Sequence, residues 1–94
     1  MLKHVVLFKK KPEVSKADFD LVISKFSTLH EEISEISSWW FRLPENPGSP
    51  YEAGIVSEFE SEAALQAYVV HPAHEKLAAE AGTVATAAVF DAWG

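Results

Sequence analysis

Ninety-four residues are enough for one domain with a single core and little interior to spare, so residues 1–94 are read as a single domain. Fourteen acidic against eight basic side chains leave a net charge of −6, which argues against nucleic acid or any other polyanion as partner. There is no cysteine, so a disulfide framework, a thiolate metal site and a thiol nucleophile are all excluded.

Leu2 to Phe8 opens the chain as a strand rich in β-branched and aromatic residues. Its alternation puts Leu2, His4, Val6 and Phe8 on one face, with Val5 and Leu7 on the other. The run starts at Met1 without a leader pattern, and no apolar stretch approaches the roughly twenty residues needed to cross a bilayer, so the expected setting is the cytoplasm, with no membrane partner. Lys9-Lys10-Lys11 stands at the strand end and reads as a solvated turn. Ser15 caps a helix, with Asp18 three residues on as a weak capping box. Phe19, Val22, Phe26, Leu29 and Ile33 then form one apolar stripe of about four turns, which predicts a continuous helix. His30 lies near its end, where a cation suits the free carbonyls.

Glu35 to Leu43 reads as the second strand. Adjacent Trp39 and Trp40 must point to opposite faces of it, one toward the helices and one away. Three prolines and a glycine between Pro44 and Pro50 mark a loop. Tyr51 to Phe59 returns to strand alternation, with Ala53, Ile55, Ser57 and Phe59 on one side and Gly54, Val56 and Glu58 on the other. Glu58 is a charge on the second face, with Arg42 as its expected partner across neighbouring strands. Ser61 caps a short helix over 62–70 that buries Ala64, Leu65 and Tyr68. His71 and Pro72 break and restart it, because proline lacks a backbone donor and the residue before it resists the α region. The second piece runs to about Ala81, Gly82 ends it, and Thr83 to Trp93 is the last strand.

The order is therefore βαββαβ, an α+β chain with a four-stranded antiparallel sheet and both helices on one side, the ferredoxin-like arrangement. The other side carries Val5, Leu7, one Trp and Val56, too apolar to stay wet. If about 600 Å² of it were covered, the gross gain at roughly 25 cal/mol per Å² would be about 15 kcal/mol per chain before association costs. A homodimer that packs two sheets face to face about a two-fold axis is the expected assembly.

Tyr68-Val-Val-His71-Pro-Ala-His74 holds two imidazoles, a phenol and a helix start. Pro72 suits the first helical position, His71 then caps, and His74 sits in the first turn, where outward N–H groups disfavour a protonated ring. Two readings stay open. In one, a neutral His74 accepts a proton; in the other, His71 only caps and His74 only covers an apolar wall. A metal site from His4, His71 and His74 would suit Zn or Cu, but no carboxylate is fixed beside them by the sequence, so neither metal nor cofactor is expected.

Three stretches, Met1-Leu-Lys-His4-Val-Val-Leu-Phe8, Val56-Ser-Glu-Phe59-Glu-Ser61 and Ala67-Tyr68-Val-Val-His71-Pro72-Ala-His74, together resemble the stress-responsive A/B barrel (Dabb) family of dimeric α/β barrels. The resemblance spans essentially the whole chain. It implies two ferredoxin-like protomers packed sheet against sheet into a barrel. The best understood branch, of the olivetolic acid cyclase type, closes linear poly-β-ketones by aldol condensation without a cofactor, in a pocket between sheet and helices. Carried over residue by residue, His4, Tyr68 and His74 line that pocket, with His74 as base and Tyr68 orienting or polarising a carbonyl. A further pocket histidine of the cyclases falls at Ala53 here, a departure from their pattern. The resemblance thus implies a pocket for a small apolar carbonyl or phenolic metabolite. A cofactor-free cyclase-like enzyme and a purely structural or stress-protective dimer are the alternatives. Cofactor-free quinone-forming monooxygenases share this barrel, but no residue set here selects them.

Overall fold

A computed structural model describes residues 1–94. Strands β1 (Leu2–Lys10), β2 (Ser38–Arg42), β3 (Ala53–Phe59) and β4 (Ala85–Trp93) form one antiparallel sheet in the order β2-β3-β1-β4. Helices α1 (Lys16–Ile23), α2 (Glu62–Val69) and α3 (Pro72–Val84) lie on one of its faces. The alternation in β1 and β3 is what places them: Leu2, His4, Val6 and Phe8, and Ala53, Ile55, Ser57 and Phe59, are all buried beneath the helices.

The long first helix is shorter than its stripe predicts. It is α-helical only to Ile23 and continues as a 3₁₀ segment over Ser24–Glu31. The Ser24 hydroxyl competes for backbone bonds, donating from Oγ to the Leu21 carbonyl at 3.2 Å. The Trp39 indole N–H also donates to the Phe26 carbonyl at 2.9 Å, drawing the segment down onto β2. In the tighter turn Phe26 and Leu29, three apart, share one side and both reach the core. Ile23 is sealed there, whereas Val22 is only half-buried.

Ser15 and Ser61 cap α1 and α2 through Asp18 N–H and Ala64 N–H, each at 3.1 Å. Gly82 does not end α3, which runs on to Val84. Its carbonyl instead accepts from Lys11 Nζ at 2.7 Å, while Lys10 Nζ donates to the Val14 carbonyl at 2.6 Å, so two of the three clustered lysines tie the β1–α1 turn down.

The strand register sets residues in rows across the sheet. On the helix side one row reads Asp91, His4, Ser57, Trp39 from β4 to β2. On the opposite side a row of Phe90, Val5, Val56 and Trp40 has no cover, and Trp40 and Phe90 are 49% and 67% exposed. Of the paired indoles, Trp39 is the one that turns inward. Arg42 and Glu58 do not pair, because Arg42 stands opposite Gly54 and Glu58 opposite Ser38. Glu58 accepts from Ser38 Oγ at 2.7 Å and lies 3.7 Å from Lys3, and the Arg42 guanidinium stacks over Trp40 at 5.2 Å. No helix is long and apolar enough to cross a membrane.

Candidate active site

The helices cover β2, β3 and β1 more fully than β4, and the gap between α2, α3 and the β1–β4 half of the sheet is a cavity of about 520 Å³. Its walls are largely apolar, supplied by Val6, Phe8, Phe26, Ile55, Ala81 and Val89 among others. Its polar groups gather at one end: His4, Tyr68, His74 and Asp91. The alternation of β1 brings His4 there, two positions along from Val6. The α2–α3 break brings the other two residues: Tyr68 lies in the last turn of α2 and His74 in the first of α3. All three residues expected from the sequence therefore meet in one place.

Each imidazole has a fixed orientation. His74 Nδ1–H donates to the Val69 carbonyl at 2.9 Å, so the neutral ring has its lone pair on Nε2. That carbonyl is free because the helix breaks here: Pro72 has no N–H, and the Ala73 N–H that a continuous helix would return to Val69 goes to His71 Nδ1. Burial moves His74 below its ordinary pKa, and the Val69 carbonyl offsets only part of the effect. His71 turns its own Nδ1 to the Ala73 N–H at 3.1 Å as the cap of α3, and it does not line the cavity. His4, 7% exposed, donates from Nδ1 to the Asp91 carboxylate, and the Ser57 hydroxyl below donates to the His4 carbonyl at 3.2 Å.

Tyr68 is 1% exposed, its ring 4.4 Å from that of His74, 5.2 Å from Phe59 and 5.9 Å from His4. Burial pushes the phenol well above its ordinary pKa of 10.0, so it stays protonated. No sealed side-chain polar atom lacks a hydrogen-bond partner anywhere in the chain, and the Tyr68 hydroxyl opens on the cavity instead of onto a protein acceptor. A lone pair on His74 and a proton donor on Tyr68 stand side by side: one can take a proton from a carbon beside a carbonyl, the other can hold the oxygen that becomes charged.

Asp91 escaped the sequence reading. It is the only charged residue of β4, and its parity with Val89 and Ala87 marks it as helix-side. Without the β1–β4 register, however, nothing assigns it to His4. The three imidazoles do not assemble into a ligand set, and no three His, Asp or Glu side chains are close enough to hold a metal ion together. Ala53, 3% exposed, packs in the core opposite Phe8 and lies outside this cavity. Leu77 is buried but does not line it, and Trp39 lies 6.1 Å from the far side of Tyr68, stacked on His30. Neither side chain fills the space.

Residues 2–93 match a family model described as the stress responsive A/B barrel domain. No curated protein matches the chain significantly. Among solved structures, a dimeric protein of unknown function with a ferredoxin-like fold from Bacteroides fragilis is 26% identical with a TM-score of 0.87, covering 99% of this chain and 95% of that one. A protein from Arabidopsis thaliana is also 26% identical, with a TM-score of 0.80 over 100% of this chain and 95% of its own. A hydroxynitrile lyase from Passiflora edulis, 17% identical with a TM-score of 0.76 over 98% and 93% of the two chains, shares the fold.

Proposed function

The chain belongs to the stress responsive A/B barrel family, and from that premise we propose that two copies pair through their uncovered sheet faces and that each binds a small, largely apolar carbonyl or phenolic metabolite between sheet and helices. The observation that carries this reading is the convergence of His4, Tyr68 and His74 on one end of a 520 Å³ apolar cavity, a volume ordinary for small-molecule sites. The dimer is supported by the row Phe90, Val5, Val56 and Trp40, and by relatives described as dimeric. The whole of residues 1–94 acts as one domain in it.

A second reading, cofactor-independent catalysis, is favoured by the way His74 is held. Its Nδ1–H is committed to Val69, so Nε2 is the nitrogen left with a lone pair to accept a proton. In this reading Nε2 takes the proton from the carbon next to a ligand carbonyl, and the electron pair moves onto the carbonyl oxygen. The Tyr68 hydroxyl donates a hydrogen bond to the resulting enolate, whose carbon attacks a second carbonyl as in an aldol closure; the π electrons of that carbonyl become an alkoxide, which takes the proton back from Nε2.

Both readings are tested with 4-propylacetophenone as probe. Titration followed through the Tyr68 and His74 ring signals measures binding, and loss of the acetyl methyl signal in D₂O measures proton abstraction. Binding that His74→Ala and Tyr68→Phe weaken while the dimer persists supports the pocket. Methyl exchange that disappears with His74→Ala and slows about 10²-fold with Tyr68→Phe supports catalysis. A probe that perturbs neither ring leaves only a structural dimer.

A further inference from the structure

The charge inventory around the cavity points to a restriction on what enters it. We propose that this site takes uncharged carbonyl or phenolic ligands and excludes carboxylates and phosphates, with Asp91 as the residue that sets the preference; the inference rests on the ligand-binding reading above.

No lysine or arginine lines the cavity. Two lysines near its margins are already engaged: Lys11 Nζ, an exposed contact, donates to the carbonyl of the lining residue Gly82 at 2.7 Å, and Lys3 reaches Glu58 on the opposite face and the Gly94 carbonyl at 3.2 Å. A helix start is the usual substitute for a cation. Here the Ala73 N–H of α3 is already taken by His71 Nδ1 at 3.1 Å, and Glu75 adds a negative charge to the same turn.

What the cavity does present suits neutral groups. His74 lines it with a ring whose N–H is spent on Val69, which leaves the lone pair on Nε2, and Tyr68 supplies a hydroxyl donor. A ketone oxygen finds the phenol, and a phenolic or enolic hydroxyl finds the imidazole. Asp91 stands at the exposed side of this end, its side chain 42% accessible, with His4 as its hydrogen-bond partner. The Asp91 carboxylate offsets any charge on the His4 ring, so the pair offers an anion no surplus positive charge. An arriving carboxylate must shed water beside another carboxylate and find no counter-ion inside.

The test is a matched pair of probes at pH 7.5, 4-propylacetophenone and 4-propylbenzoate, which share shape and differ in charge. The expected result is that the benzoate binds at least about tenfold more weakly, the equivalent of one like-charge contact in a partly screened site. Asp91→Asn, which keeps the shape, should narrow that gap chiefly by improving the benzoate. Equal affinities, or tighter binding of the benzoate, overturn the proposal, and the wild-type comparison decides this even if the variant fails to fold. A gap left unchanged in a folded Asp91→Asn removes Asp91 as its cause. If neither probe moves the Tyr68 and His74 signals, the ligand-binding reading fails and the selectivity falls with it.

Discussion

Replacing Tyr68 with Phe separates a chemical role from a structural one. The ring is 1% exposed and wedged among His74, Phe59, His4 and Trp39, so it is a large part of the core, yet its hydroxyl opens on the cavity. A hydroxyl without a protein partner contributes no net hydrogen bond to folding, and Tyr68→Phe should therefore change stability by no more than about 0.5 kcal/mol. Tyr68→Ala removes the ring and should cost roughly 3–5 kcal/mol, as aromatic truncations in cores do. At about 4–8 °C of Tm per kcal/mol for a domain of this size, the first variant melts within about 4 °C of wild type and the second at least about 12 °C lower. Melting followed by circular dichroism at matched protomer concentration, as a dimer requires, makes the comparison. If Tyr68→Phe alone loses more than about 1.5 kcal/mol, the hydroxyl holds the fold together, and its role as a free donor to a ligand is refuted.

Phe90→Asp puts a charge on the β4 side of the uncovered sheet face and should weaken self-association by about 30-fold or more, the scale of a buried anchor; sedimentation that shows an unchanged dimer would move the interface elsewhere. His74 has its folded-state pKa pushed down by burial, so the unfolded chain binds the proton first, and stability should fall as pH drops below the ordinary value of 6.5, levelling off beneath the depressed folded value. Denaturant titrations between pH 8 and pH 5 should show that slope flattened in His74→Gln, and an equal slope in both proteins would contradict it. Gly82→Ala adds a methyl group that meets nothing within 4 Å, inside a helix, and should raise stability by about 0.5 kcal/mol; a loss would mean that the added Cβ is crowded there.

Much of the architecture was legible because it is written in short-range patterns. Period-two alternation in Leu2–Phe8 and Ala53–Phe59 names the buried faces before any contact is known, and Ser15, Ser61 and the His71-Pro72 pair mark helix starts through local hydrogen-bond needs. What could not be read depends on register or on competition. The first helix tightens at Ser24 because the Ser24 hydroxyl and the Trp39 indole, thirteen residues beyond Phe26, take carbonyls that the α-helix would use. Gly82 stays helical because a glycine after an apolar stripe allows a stop without compelling one. The Arg42–Glu58 pairing fails for a register reason: four positions separate them along the β2–β3 ladder. The site shows the same division. His4, Tyr68 and His74 carry their signal in alternation, helix phase and family motif, whereas the link from Asp91 to His4 spans 87 residues of chain and exists only once β4 lies beside β1.

The roof over the sheet is narrower than its floor. Val89 and Trp93 face the helix side of β4, yet both are 58% exposed, so the outer margin of the cavity is a bare strand with no helix above it. A visitor would arrive sideways along that margin, with no flap to lift and no loop to fold back. Exchange would then run at the pace of wetting and drying the apolar walls, and rapid sampling of many weak guests is the behaviour that such an unguarded doorway favours over tight retention of one.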